Sequence, residues 1–70
     1  MENYNKIFIN GEPFNCYTFM SLQEILLYLG FKLDNIIVEH NQRILRHNQF
    51  DTVFLDDLDK IEVISVTGGG

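Results

Sequence analysis

Cysteine occurs once in the 70 residues, at Cys16. A lone thiol excludes an intramolecular disulfide and any metal or iron–sulfur centre built from cysteines of one chain. Tryptophan and alanine are absent, and Pro13 is the only proline. Basic residues are scarce: five Lys+Arg against ten Asp+Glu leave a formal net charge of -5. Arg43 and Arg46 form the only close basic pair, and no basic stripe accompanies the aromatics. That disfavours phosphate-backbone binding, which needs many such contacts. An acidic surface instead keeps a chain soluble or meets a basic protein partner. No apolar run approaches the ~20 residues of a membrane-spanning helix. The opening Met1-Glu2-Asn3-Tyr4-Asn5 lacks a signal-peptide pattern. These features read as a soluble intracellular protein. The lack of alanine beside frequent Asn, Ile, Phe and Tyr is the bias of an AT-rich genome. It points to a bacterial cytoplasm, or to a plastid stroma for a plastid-encoded chain.

What remains is enough for one small core. The chain is 46% hydrophobic, and its length allows a single domain burying about 60% of its unfolded surface. Lys6-Ile7-Phe8-Ile9-Asn10 alternates and reads as a strand. Asn10-Gly11-Glu12-Pro13 supplies turn chemistry, with Gly11 free to take positive φ, and Phe14 to Phe19 returns as a second strand. Thr18 or Ser21 can cap the helix that follows, and Ser21 with Glu24 three residues later fits a capping box. Leu22, Ile25, Leu26 and Leu29 then fall on one helical face, and Gly30 is the natural stop. Asn35 to His40 reads as a third strand, Asn41-Gln42-Arg43 as a turn, and Ile44-Leu45 as extended. Arg46 to Leu55 has no clean period; a short helical turn near Asn48–Asp51 and a brief strand near Val53-Phe54 are expected. Asp56-Asp57-Leu58-Asp59 reads as a turn and Lys60 to Val66 as the last strand.

One helix cannot cover both faces of a sheet, so this order predicts an α+β domain. The helix packs across one face of a mixed sheet of four to five strands, with the two terminal strands side by side and parallel. That is the β-grasp arrangement. It spans residues 1–67 and leaves Gly68, Gly69 and Gly70 as a flexible tail. Glycine has no Cβ, so such a tail can enter a channel too narrow for other residues and present an uncrowded carboxylate.

Period two on the last strand turns Ile61 and Val63 toward the helix and Glu62, Ile64 and Val66 away from it. Phe8 likewise faces away from Ile7 and Ile9. With the terminal strands adjacent, Phe8, Glu62, Ile64 and Val66 form a largely apolar, exposed patch beside the tail, which is how partner surfaces look. Cys16 reads as a buried structural thiol. Asp56, Asp57 and Asp59 read as a solvated turn without calcium-loop spacing, and His40 and His47 as structural or exposed. No catalytic or metal-ligating set emerges.

At this level the chain resembles the ThiS-like sulfur carrier family of the thiamine pathway, within the ubiquitin-like β-grasp proteins. The resemblance runs from Lys6 to Gly70. It rests on Ile7-Phe8-Ile9-Asn10-Gly11, Ser21-Leu22-Gln23-Glu24-Ile25-Leu26, Val38-Glu39-His40-Asn41 with Ile44-Leu45, Leu58-Asp59-Lys60-Ile61-Glu62-Val63 and the terminal Gly68-Gly69-Gly70, in that order. The chain departs from the family pattern where Asn-Gly is replaced by Asn41-Gln42, Pro by Arg46, and Gly-Asp by Leu58-Asp59. Two turns thereby lose a glycine. The resemblance implies a protein co-substrate and not an enzyme. A ThiF-like adenylyltransferase would join the Gly70 carboxylate to AMP, using ATP and Mg²⁺, with no cofactor held by the chain itself. Sulfur from a cysteine desulfurase would replace AMP to give a thiocarboxylate, and a ThiG-like thiazole synthase would consume it. In this scheme Gly68 and Gly69 fit the partner's channel. The alternatives are a molybdopterin-synthase-type carrier, a ubiquitin-like modifier attached to lysines, and a β-grasp binding module whose tail does no chemistry.

Overall fold

The structure, a computed structural model, describes residues 3–66. Five strands, β1 (Tyr4–Ile9), β2 (Glu12–Tyr17), β3 (Ile36–His40), β4 (Arg43–Leu45) and β5 (Lys60–Ser65), and one helix, α1 (Leu22–Tyr28), make up the body. The sheet order is β2-β1-β5-β3-β4. β1 and β5 are parallel neighbours at its centre, and the other pairings are antiparallel. This is the β-grasp order, with both terminal strands inside the sheet.

The β1–β2 hairpin turns in two residues, Ile9 facing Glu12. Asn10 and Gly11 both take positive φ, 52° and 83°, the signature of a type I′ turn. β2 lies two residues earlier in sequence than the expected Phe14–Phe19, because so tight a turn makes Glu12 and Pro13 part of the ladder.

α1 has only seven residues, too few to be stable alone. Its ends are closed instead. Ser21 Oγ accepts the Glu24 N–H (3.2 Å) while Glu24 Oε1 accepts the Ser21 N–H (2.9 Å), completing the capping box. The other first-turn donors, on Leu22 and Gln23, reach the carbonyls of Val53 (2.8 Å) and Phe50 (2.9 Å). At the far end Gly30, at φ 90°, lets its own N–H donate to Leu27 O and the Phe31 N–H to Leu26 O, both at 3.0 Å. That is the Schellman closure.

The helix buries Leu22, Ile25 and Leu26 against Ile7, Ile9, Cys16, Ile36, Val38, Ile61 and Val63 from the inner sheet face. The segment without a clear period contributes Phe50, fully buried, and Leu55. The expected helical turn near Asn48–Asp51 is a 3-10 turn at His47–Gln49, and a second one at Leu33–Asn35 was not signalled by any pattern. The expected strand at Val53-Phe54 reduces to a single bridge between Ser21 and Phe54. The fold thus leaves the outer sheet face uncovered by any described element.

Candidate functional site

β5 connects the core to the carboxyl-terminal residues, and its alternation sorts its side chains sharply. Ile61 and Val63 are buried, while Ile64 and Val66 are 48% and 42% exposed. Val66, the last described residue, is tied to the body by its N–H donating to Asn35 O at 2.7 Å. Gly68, Gly69 and Gly70, and the domain boundary placed at residue 67, lie outside the described residues.

Cross-strand register shows what surrounds the outer side of β5. Ile64 stands opposite Ile37, and Glu62 opposite Glu39, which in turn faces Ile44 on β4. Phe8 belongs elsewhere. It pairs with Lys60, so it lies about 13 Å along the strand direction from Ile64, four residues at roughly 3.3 Å each. Phe8 is only part-exposed, and the Lys6 ammonium sits over its ring at 5.7 Å. The grouping of Phe8 with Ile64 and Val66 is therefore corrected. Parallel strands run alongside each other, but β1 ends before β5 reaches Ile64, and the neighbour there is Ile37, with Ile44 one strand further on beside Glu39. The signal that could have found them was the exposed half of the alternation in β3 and β4.

At the other end of β5 a compact polar cluster fixes the strand's start. Asp59 is buried and accepts three hydrogen bonds, from His40 Nε2–H (2.7 Å), Asn41 Nδ2–H (3.0 Å) and the Asp56 N–H (2.8 Å). Burial pushes its carboxyl pKa up. The bonds from Asn41, His40 and Asp56, together with the His40 charge, outweigh that and hold it below the ordinary aspartate value. The reading of the three acids as a solvated turn fails for Asp59, and Asp57 also accepts the Lys6 N–H at 2.8 Å. A turn that must close on a neighbouring strand uses its carboxylates as caps. His47 is structural as well, its ring nitrogen bonding to Ile36 O at 2.9 Å.

Two asparagines extend this bracing. Asn10 Oδ1 accepts the Val63 N–H (2.7 Å) and Asn10 Nδ2 donates to Val63 O (3.3 Å), which continues the ladder past the end of β1. Asn41 Oδ1 accepts the Lys60 N–H at 2.8 Å. Each asparagine opens a two-residue hairpin turn at positive φ, 52° and 49°. Both hairpins are thereby sewn to β5. Cys16 is buried, as expected. Burial raises its thiol pKa, the Asn5 backbone bond opposes this, and the Asp59 charge adds to it. The residue is packing, and its raised pKa disfavours the thiolate that a nucleophile needs.

Comparison with known proteins covers almost the whole chain. The ThiS family model matches residues 7–70. The ycf40 protein of Pyropia yezoensis is 48% identical over 62 residues, spanning 89% of this chain and 87% of that protein. A thiazole synthase of Magnetococcus marinus is 37% identical over 65 residues, which is 93% of this chain but only 20% of that much longer protein. Among solved structures, the thiamine biosynthesis protein ThiS of Geobacter metallireducens superposes with a TM-score of 0.78 at 26% identity, covering 93% of this chain and 99% of that one. A centrally paired parallel β1–β5, one capped helix on a single face, and a family match continuous to residue 70 agree: this chain belongs to the ThiS family.

Proposed function

We propose that this protein is a sulfur carrier for thiamine biosynthesis, acting through the carboxylate of Gly70. A carboxylate is a poor electrophile at neutral pH. Transfer of AMP from ATP by a ThiF-like adenylyltransferase, with Mg²⁺ offsetting phosphate charge, gives it a good leaving group and releases pyrophosphate. A persulfide whose sulfur came from a cysteine desulfurase then attacks the acyl carbon and displaces AMP. Cleavage of the resulting sulfur–sulfur bond by a thiol leaves the thiocarboxylate. A ThiG-like thiazole synthase takes this sulfur for the thiazole ring. The chain acts as a co-substrate in these steps, in a bacterial cytoplasm or a plastid stroma.

The observation that carries the reading is the family match running through Gly68-Gly69-Gly70. The recipient is supported separately, because a segment similar to this chain forms part of longer proteins named thiazole synthase. Parts joined in one chain in some organisms commonly cooperate as separate chains in others. The test appends one uncleavable residue beyond Gly70 and repeats sulfuration with the adenylyltransferase, ATP and a persulfide donor. Sulfuration should be lost from the extended chain and present in the unaltered one. Equal sulfuration of both would refute a terminal acyl mechanism.

A further inference from the structure

Asn10-Gly11 is the only Asn–Gly pair in the chain. Such a pair is the one most open to amide loss, because glycine has no side chain to hinder its own nitrogen as it attacks the asparagine carboxamide carbon. Limited access does not protect it in this turn. Both residues are exposed, and no atom lies within 4 Å of where a Gly11 Cβ would stand. Conformation protects it instead. Asn10 Oδ1 accepts the Val63 N–H at 2.7 Å and Nδ2 donates to Val63 O at 3.3 Å, while the Asn10 N–H donates to Ile61 O at 2.9 Å. The carboxamide is thus held against β5. The Asn10 φ of 52° belongs to a type I′ turn, whose ψ at that position is about 30°. There Cβ points away from the Gly11 nitrogen, and a five-membered ring joining the two closes only at a very different ψ. Closure therefore requires Asn10 to leave both β5 and the turn.

We propose that Asn10 is a modification site gated by its clamp on Val63: inert while the clamp holds, and converted to aspartate or isoaspartate once this end of the sheet opens. In the opened chain the Gly11 nitrogen loses its proton to hydroxide and bonds to Asn10 Cγ. The Cγ–Nδ2 bond breaks, and Nδ2 leaves as ammonia with a proton taken from water. Water then adds at either carbonyl of the succinimide ring. One opening gives aspartate on the original backbone, and the other gives isoaspartate, with the backbone running through Cγ. The step consumes only water and is not reversed. Neither product rebuilds the clamp. Aspartate keeps an acceptor for the Val63 N–H but sets a second carboxylate oxygen against Val63 O, where Nδ2 donated. Isoaspartate adds a backbone carbon to a turn that has only two residues between Ile9 and Glu12. The modification therefore records time spent open and falls beside the strand that leads to the carboxyl-terminal residues. Asn41 is the internal comparison. It opens the other hairpin turn at φ 49°, and its Oδ1 and Nδ2 are bonded to the Lys60 N–H (2.8 Å) and Asp59 Oδ1 (3.0 Å). Gln42 follows it, and that side chain crowds the attacking nitrogen.

The full chain is incubated at mildly alkaline pH with and without denaturing urea, and the peptides bearing Asn10 and Asn41 are followed by mass spectrometry. Electron-transfer fragmentation separates isoaspartate from aspartate. In urea, Asn10 is expected to deamidate well ahead of Asn41. Without urea its rate should fall on the order of 100-fold, set by the population of chains open at this strand end. Gln42→Gly places a second Asn–Gly pair under an equivalent clamp, and should add Asn41 as a site with similar suppression in the folded chain. Asn10→Asp, made directly, should unfold at a lower temperature than the unaltered chain. Equal Asn10 rates with and without urea overturn the gate. Deamidation of Asn10 no faster than that of Asn41 in urea overturns the site. An Asn10→Asp chain as stable as the unaltered one overturns the claim that the product cannot rebuild the clamp. The sulfur-carrier reading stands apart from all three results.

Discussion

Asn41, Gln42 and Leu58 show how single residues carry geometry that glycine would carry more easily. Gln42 and Leu58 sit at φ 72° and 70°, in the left-handed region that a Cβ disfavours by roughly 1–2 kcal/mol. The chain keeps these conformations because hydrogen bonds surround them: the Leu58 N–H donates to Lys6 O at 2.6 Å, and Asn41 is bonded on both sides to Lys60 and Asp59. Glycine at either position relieves strain but loosens the unfolded chain, so the gain is partial. Gln42→Gly and Leu58→Gly are each expected to stabilise the fold by about 0.5–1 kcal/mol, read as a higher urea midpoint; a lower midpoint would show the side chains matter more than the strain. Asp59 gives a pH prediction. Its folded pKa lies below the ordinary value of about 3.9. Its contribution is therefore complete above that value and is lost as pH falls through the lower, folded one. Asp59→Asn should lower neutral-pH stability by about 2 kcal/mol and flatten the acid limb of stability against pH. An acid limb as steep as in the unaltered chain would place the titration elsewhere.

At the scale of the element, α1 is the part most legible in the sequence and β5 the part whose surroundings were least so. Ser21, Glu24 and Gly30 each have one strong local role, and the leucine–isoleucine spacing has one period, so the helix and both its ends follow directly. Phe50 was not legible because its burial comes from a loop without a period, whose Phe50 and Val53 carbonyls accept hydrogen bonds from the first turn of α1. The helix and this loop therefore depend on each other. Ser21→Ala should destabilise by about 1 kcal/mol through loss of the cap. Phe50→Ala should cost more, about 3–5 kcal/mol, because it opens a fully buried site. Chemical denaturation of both variants checks the order, and a Ser21→Ala loss exceeding that of Phe50→Ala would contradict it. Asp59 was read as solvated since three acids in a short turn look alike in one dimension; only the arrival of His40 and Asn41 from the neighbouring hairpin separates it from Asp56 and Asp57.

For the whole molecule, the single covered face and the parallel pairing of the terminal strands were legible in the sequence, while the order β2-β1-β5-β3-β4 came from the structure. The outer face was legible in part. Period two in β5 gave Glu62, Ile64 and Val66 correctly as outward-facing, while the neighbours Ile37, Glu39 and Ile44 required the register of β3 against β5, which no local pattern encodes. Gly69 gives the test of the tail's proposed role. Gly69→Ala adds a Cβ where the partner's channel is proposed to be narrow, and should slow adenylation while the unfolding midpoint stays unchanged; unaltered adenylation kinetics would argue against a steric role. The central claim is tested most directly by intact and fragment mass spectrometry of the chain after incubation with the adenylyltransferase, ATP and a persulfide donor. The account predicts replacement of one oxygen by sulfur, localised to Gly70 and dependent on ATP. A chain of unchanged mass, or a modification confined to Cys16, Met1 or Met20, would contradict it.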